Sequence, residues 1–267
     1  MASGPTRSPT KSSTKSKSRK ASYTAPALEK GLDIIELLAA SERAMTSGQI
    51  AEQLGRSKNE IFRMVFVLES RGYLARDPAN DMLRLSNRLF DMGLRTPQPR
   101  RLLDVAYPAM QRLSDDVGHA THLVIISRGE TVVVASAADR ADVVFTLRLG
   151  YRRPAIDATS GQVIIAFQPL DVRKQMVKES RSQTGSVISD TSLARRIEQI
   201  RRAGLSVSES RDVIGVVDIC APILDRQQNA VAAIVIPCLK RHGIREHYEE
   251  VAAALRASCL AISADLG

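Results

Sequence analysis

The apolar positions change rhythm several times along the chain. Leu28, Leu32, Ile35 and Leu38/Ala39 recur at spacings of three and four behind Pro26, which is well placed to open a helix, so the pattern predicts an amphipathic helix over residues 26–41. Thr46 and Gln49 have capping-box spacing ahead of Ile50, Ala51 and Leu54, and Gly55 is the expected left-handed stop of this second helix. After the turn Gly55-Arg56-Ser57, a third helix carries its apolar face on Ile61, Met64, Val65 and Leu68, and Gly72 ends it. Two short helices joined so tightly have helix-turn-helix geometry. Tyr73–Arg76 and Met82–Leu85 then read as short strands around the turn 77–81, which makes a wing.

Farther on, the prolines of "TPQPR" (96–100) predict a break, since a helix interior does not tolerate them. Leu103, Ala106, Met110, Leu113 and Val117 form the seam of a helix that either joins two subunits or packs on its own domain. Strands are expected at "THLVIIS", "TVVVASA" and "VVFTLRLG", and again near 205–209, 216–224 and 230–237; helices are expected at 159–167, near 170–180 and 191–203, and at 244–264. Interspersed helices and antiparallel hairpins place the chain in the α+β class. The expected division is a basic tail over 1–25, a winged helix-turn-helix domain over 26–95, a linker and linker helix over 96–118, and a second domain over 119–267.

Charge sharpens this picture. The formal net charge is +9, and six of the positive charges (Arg7, Lys11, Lys15, Lys17, Arg19 and Lys20) fall in an acid-free, Ser/Thr/Pro-rich stretch before Leu28. Such a tail is expected to be disordered; it either tracks phosphates without reading sequence or simply solubilises the chain. No apolar run reaches a membrane span, no secretory signal is expected, and three cysteines without paired spacing suit a reducing cytoplasm.

Within the third helix, Ser57-Lys58-Asn59-Glu60 reads S-x-x-E. Glu60 is therefore expected to fold back as a cap, complementing the helix dipole; the sharper alternative is that it accepts a hydrogen bond from a cytosine amino group. Lys58, Asn59 and Arg63 are the expected contacts to base edges and phosphates, with Thr46 and Ser57 at the two caps alongside them. Phe62 is open between thymine methyls and the domain core, while Arg76 and Arg84 on the wing either touch the DNA backbone or minor groove or are merely solvated.

These segments together resemble the IclR-type transcriptional regulators. The likeness runs through "ALEKGLDIIELLA", "TSGQIAEQLGRSKNEIFRMVFVLESRGYL" and "LRLSNRLFDMG", and resumes at "LGYRRPAIDATSGQVIIAF" and "SESRDVIGVVDICAPILDRQQNAVAAIVIP", covering roughly residues 26–265. It implies a DNA-binding winged helix, a linker helix and a GAF-like ligand-sensing domain, assembled as dimers or dimers of dimers. By the same resemblance, the effector pocket falls on Phe145, Arg153, Thr159, Ser160, Ser208, Asp218, Val235 and Pro237. Some members of the family carry a cysteine where Asp218 stands and serines where Val235 and Pro237 stand, and these receive a small acid. A carboxylate in place of those groups favours a sugar, polyol or cationic ligand.

Catalysis is not expected. Ser160 in "DATSG" lacks an accompanying base, and His119 and His122, spaced as metal ligands sometimes are, read as structural or exposed at a helix end. No cofactor, metal or membrane partner is expected; the expected partners are an operator duplex, a small-molecule effector and a second copy of the chain. The competing reading is a small-molecule-binding or hydrolytic domain with incidental DNA affinity.

Overall fold

The computed structural model describes residue 1 and residues 25–41, 43–138, 144–183, 188–243 and 247–266. It divides into two compact units, one ending at Met92 and the other beginning at Gly93. Residues 2–24 of the expected tail fall outside the described residues.

The first unit begins with α1 (Pro26–Ala40), α2 (Ser47–Gln53) and α3 (Lys58–Ser70). Each of the latter two is started by a reciprocal capping box, Thr46 with Gln49 and Ser57 with Glu60, so amides that a helix leaves orphaned at its start are satisfied locally. Ile34 and Leu38 of α1 and Ile50 and Ala51 of α2 close a small core over Ile61, Val65 and Leu68 of α3; of the face expected on α1 only Leu38 is buried and Ile35 half-buried, while Leu28, Leu32 and Ala39 are exposed, because the helix turns its Ile34–Leu38 stripe to α3. Strands β1 (Leu74–Arg76) and β2 (Leu83–Leu85) form the antiparallel wing, and Leu83 also exchanges backbone hydrogen bonds with Met45, which ties the entry of α2 to the wing.

Sequence periodicity missed α4 (Arg88–Arg95), because two turns are too short for an apolar face to recur; its Leu89, Phe90 and Met92 remain exposed. It is followed by α5 (Pro97–Val117). The expected break at "TPQPR" is therefore narrower than the prolines suggested. Pro97 opens the helix behind Thr96, and first-turn amides have no intrahelical acceptor to lose. The seam of α5 packs on its own unit: Ala106, Met110 and Leu113 are buried in its core.

Six antiparallel strands form the second unit's sheet, in the order β5 (Arg152–Pro154), β4 (Glu130–Ala137), β3 (Thr121–Ser127), β8 (Ala230–Leu239), β7 (Val216–Leu224) and β6 (Ser206–Glu209). Two apolar layers contain its strands. In one, α5 and α9 (Tyr248–Leu266) meet Leu123, Ile219, Ile223, Ile234 and Ile236; in the other, α6 (Thr159–Ala166) and α8 (Asp190–Ala203) meet Val124, Val133, Cys220, Ala233 and Val235. Helix α7 (Leu170–Gln183) lies between α6 and α8 in sequence. Because β7 and β8 are covered on both faces, they read as continuous apolar runs instead of alternating.

The strand expected at "VVFTLRLG" is not formed by residues 144–150; the edge strand is β5. The reason is a tertiary contact: the Leu147 amide donates to His122 Nε2 at 2.8 Å instead of to a neighbouring strand. Residues 244–246 of the last expected helix fall outside the described residues, and α9 begins at Tyr248.

Gly161 in α6 lies against the backbone of Ala155, and a Cβ there would overlap the Ala155 carbonyl. Gly161→Ala is expected to cost about 2 kcal/mol through overpacking against backbone that has no rotamer to yield. Chemical denaturation followed by circular dichroism checks this, with an unchanged midpoint counting against the close approach.

Candidate functional site

Two places in the molecule gather functional chemistry. The first is the outward side of α3. Glu60 does not face outward: its carboxylate accepts from the Ser57 hydroxyl at 2.9 Å and the Ser57 amide at 3.3 Å, and Lys30 Nζ lies 2.5 Å from its other oxygen. The Lys30 hydrogen bond, reinforced by the Ser57 hydroxyl and amide, holds its pKa down to about 2. With both oxygens engaged, the cap reading holds. Ser57 is occupied with this cap, and Thr46 with its own: its amide donates to Gln49 Oε1 at 2.8 Å, and its hydroxyl accepts from the Gln49 amide at 3.3 Å.

Lys58, Asn59 and Arg63 are exposed, and neither Lys58 nor Arg63 forms an ion pair among the described residues. Phe62 is 60% exposed, so the core alternative for it falls: Ile61, Val65 and Leu68 already fill the buried face. Arg76 is held as a brace, with Nε and Nη2 on the two oxygens of Glu69 at 2.8 Å each and Nη1 3.3 Å from Asp81. It ties the wing to α3. Arg84 is exposed on β2.

The second place is a cavity of about 70 Å³ beside the N-terminus of α6. Phe145, Arg153, Thr159, Ser160, Asp218, Val235 and Pro237 all line it, residues scattered over more than 90 positions of sequence. Ser208 does not line it. It stands opposite Asp218 in the ladder but on β6, one strand farther from β8, and its buried hydroxyl has no hydrogen-bond partner among the described residues. The lining instead takes Ser210 and Asp212 from the loop after β6, and Tyr151 ahead of β5. No spacing rule connects that loop to Arg153, so sequence reasoning had no signal for them.

Asp218 is half-buried on β7 and accepts from the Thr159 hydroxyl at 3.1 Å. Burial pushes its pKa above the ordinary carboxylate value, while the Thr159 and Ser210 hydroxyls pull the other way. The start of α6 favours an anion here, because its first-turn amides have no side-chain cap. Arg153, the cationic member of the lining, is paired with Asp212. A wider groove of about 580 Å³ runs along Leu102, Leu103, Ile125, Val134, Val231 and Leu266. Its wall is largely aliphatic, whereas the smaller cavity converges hydroxyls and charges as specific ligand sites do.

Bordering that cavity, His122 is buried on β3, not exposed at a helix end. Its Nε2 receives the Leu147 amide and lies 3.1 Å from Thr146 Oγ1, while Nδ1 looks toward the Val235 backbone without reaching hydrogen-bond geometry. The ring thereby pins residues 146–147 over the sheet. Burial lowers its pKa to about 4. Among the described residues, no three His, Cys, Asp or Glu side chains gather as a metal site.

A winged helix-turn-helix and a second, sheet-based domain with a cavity in which hydroxyls and charges converge make up a transcriptional regulator of the DNA-binding class. Family models agree: one described as "IclR helix-turn-helix domain" matches residues 27–78, and one described as "Bacterial transcriptional regulator IclR C-terminal" matches residues 97–264. The chain belongs to the IclR family of bacterial transcriptional regulators. It is 24% identical over 229 residues to the HTH-type transcriptional regulator KdgR of Escherichia coli K12 (85% of this chain, 87% of that protein). To the glycerol operon regulatory protein of Streptomyces coelicolor it is 25% identical over 246 residues (90% and 96%). In fold it is similar to an IclR homolog from Microbacterium hydrocarbonoxydans, solved in complex with 4-hydroxybenzoate, with a TM-score of 0.75 at 22% identity (90% of this chain, 98% of that one).

Two titrations follow. Folded His122 stays neutral down to about pH 4, while its unfolded counterpart protonates near 6.5, so the unfolded state binds the extra proton between those values. Stability is expected to fall by about 3 kcal/mol as pH drops through that window, and urea unfolding of the chain against His122→Asn isolates the effect as a flatter profile in the variant. For Asp218 the raised pKa means that stability declines as pH rises above the ordinary carboxylate range. Asp218→Asn is therefore expected to melt higher than the unsubstituted chain at pH 7 without ligand, with the gap closing in acid; a lower melting temperature at pH 7 would refute the burial cost.

Proposed function

We propose that the chain is a ligand-responsive regulator that binds a palindromic operator as a dimer through its winged helix-turn-helix, with a small molecule in the 70 Å³ cavity modulating DNA affinity. The observation that carries the reading is the outward face of α3: Lys58, Asn59 and Arg63 are exposed in its first two turns, and the one acid there, Glu60, is turned back onto Ser57 and Lys30. That leaves a positively charged helix face suited to phosphates and base edges. A second copy is supported by apolar side chains left exposed on α1 (Leu28 and Leu32) and α4 (Leu89, Phe90 and Met92).

For the effector, Phe145, Arg153, Thr159, Ser160, Asp218, Val235 and Pro237 form the binding wall, and Ser210 and Asp212 replace Ser208 in it. The Arg153 charge is already answered by Asp212, while Asp218 accepts hydrogen bonds from hydroxyls and forms no ion pair among the described residues, so a polyol, sugar or small cation with hydrogen-bond donors suits the cavity better than a carboxylate. The space as it stands holds roughly five waters, so a larger ligand enters by parting the Arg153–Asp212 pair. Its effect on DNA follows from binding one conformation more tightly than another.

Selection from a random duplex library at near-physiological salt, with protein beginning at Ala25, tests the reading. An inverted repeat is expected, and Arg63→Ala is expected to weaken the selected duplex about tenfold while leaving unrelated duplexes unaffected. A steep salt dependence without any sequence preference would reduce the DNA affinity to electrostatics.

A further inference from the structure

Two phenylalanines stand in solvent on the helix that reads DNA. Phe62 is 60% and Phe66 65% exposed. Turning roughly 100° per residue, α3 brings Asn59, Arg63 and Phe66 to the side opposite Ile61, Val65 and Leu68, with Phe62 on the adjoining flank. The core of the unit is complete without either ring, so their exposure has no counterpart in folding stability. Phe62 and Phe66 are i, i+4 neighbours, with exposed Val67 next to Phe66, but they stand among Lys58, Asn59 and Arg63, and this surrounding charge matches a phosphate-lined groove.

We propose that Phe62 and Phe66 read thymine 5-methyl groups, so that the operator half-site carries thymines two base steps apart in the major groove. This rests on α3 entering that groove. A phenyl ring has no donor or acceptor, and the thymine methyl is the apolar mark among the base edges presented there. The spacing comes from the helix. Four residues rise about 6 Å, close to two base steps of about 3.4 Å each. Glu60, which would otherwise favour cytosine, is engaged with Ser57 and Lys30.

The test starts from duplexes selected with the full chain. Each thymine is then replaced in turn by deoxyuridine, which removes the methyl and keeps base pairing and the O4 acceptor. Binding is expected to weaken about fourfold at each of two positions. Phe62→Ala is expected to be indifferent to one of these replacements and Phe66→Ala to the other, with circular dichroism showing both variants folded. Equal affinity for thymine and deoxyuridine duplexes overturns the inference. So do alanine variants that keep the methyl preference, and variants whose defect is confined to self-association in sedimentation. If no sequence is enriched at all, the operator reading itself fails, a result distinct from selected operators indifferent to methyl groups.

Discussion

Strands β7 and β8 pair from Val216 opposite Leu239 to Leu224 opposite Ala230, and burial on both sides of this ladder is the constraint on which the second unit depends. Successive side chains alternate faces, so one strand supplies both layers: Ile219 and Ile223 go to the α5/α9 side, and Cys220 to the α6/α8 side. A polar residue in such a strand needs an explanation. Asp218 has one, because it falls at the end of the ladder where α6 begins, within reach of the Thr159 hydroxyl and in the field of the helix start. The cavity exists at that point because helix, ladder and loop converge there without filling the space.

The walls of the cavity are fastened by different means. On one side His122, inside the sheet, takes the Leu147 amide and keeps residues 146–147 from joining a strand. On the other, the loop after β6 is held by Asp212 on Arg153. Gly161 permits α6 to lie directly on the backbone of Ala155, which sets where Thr159 and Ser160 face the cavity. The hydrogen bond to His122 is shielded from water; the Arg153–Asp212 pair is partly exposed and therefore weaker, which makes the loop the part of the wall easier to move.

In the first unit, carboxylates manage the basic residues. Glu60 secures the start of α3 and draws Lys30 from α1, Asp33 takes Arg56 in the turn, and Glu69 with Asp81 fixes Arg76 of the wing. On α3 the basic side chains left outward, Lys58 and Arg63, point away from the face that makes the core. Support and contact are thus divided between opposite sides of one helix.

Local rules sufficed wherever a feature is local. The capping boxes at Thr46 and Ser57, the fold-back of Glu60, the turn at Gly55 and the apolar faces of α3 and α5 were readable in the sequence, because each involves partners within a few residues, whereas α1 buries Ile34 with Leu38 and leaves the expected Leu28, Leu32 and Ala39 exposed. Most of the cavity wall was readable through the family resemblance, since it sits at matching positions. Tertiary structure decided the rest. Whether Asp218 faced inward depended on where α6 landed, Phe62 left the core because Ile61, Val65 and Leu68 filled it, and Arg76 became a brace once Glu69 came within reach. Residues 144–150 failed to form a strand because His122, more than twenty positions earlier, took the Leu147 amide. Ser208 missed the cavity by one strand, and Asp212 entered it through a loop. These outcomes turn on pairings between distant segments, and periodicity specifies which face of an element is apolar without specifying what that face, or its polar edge, will meet.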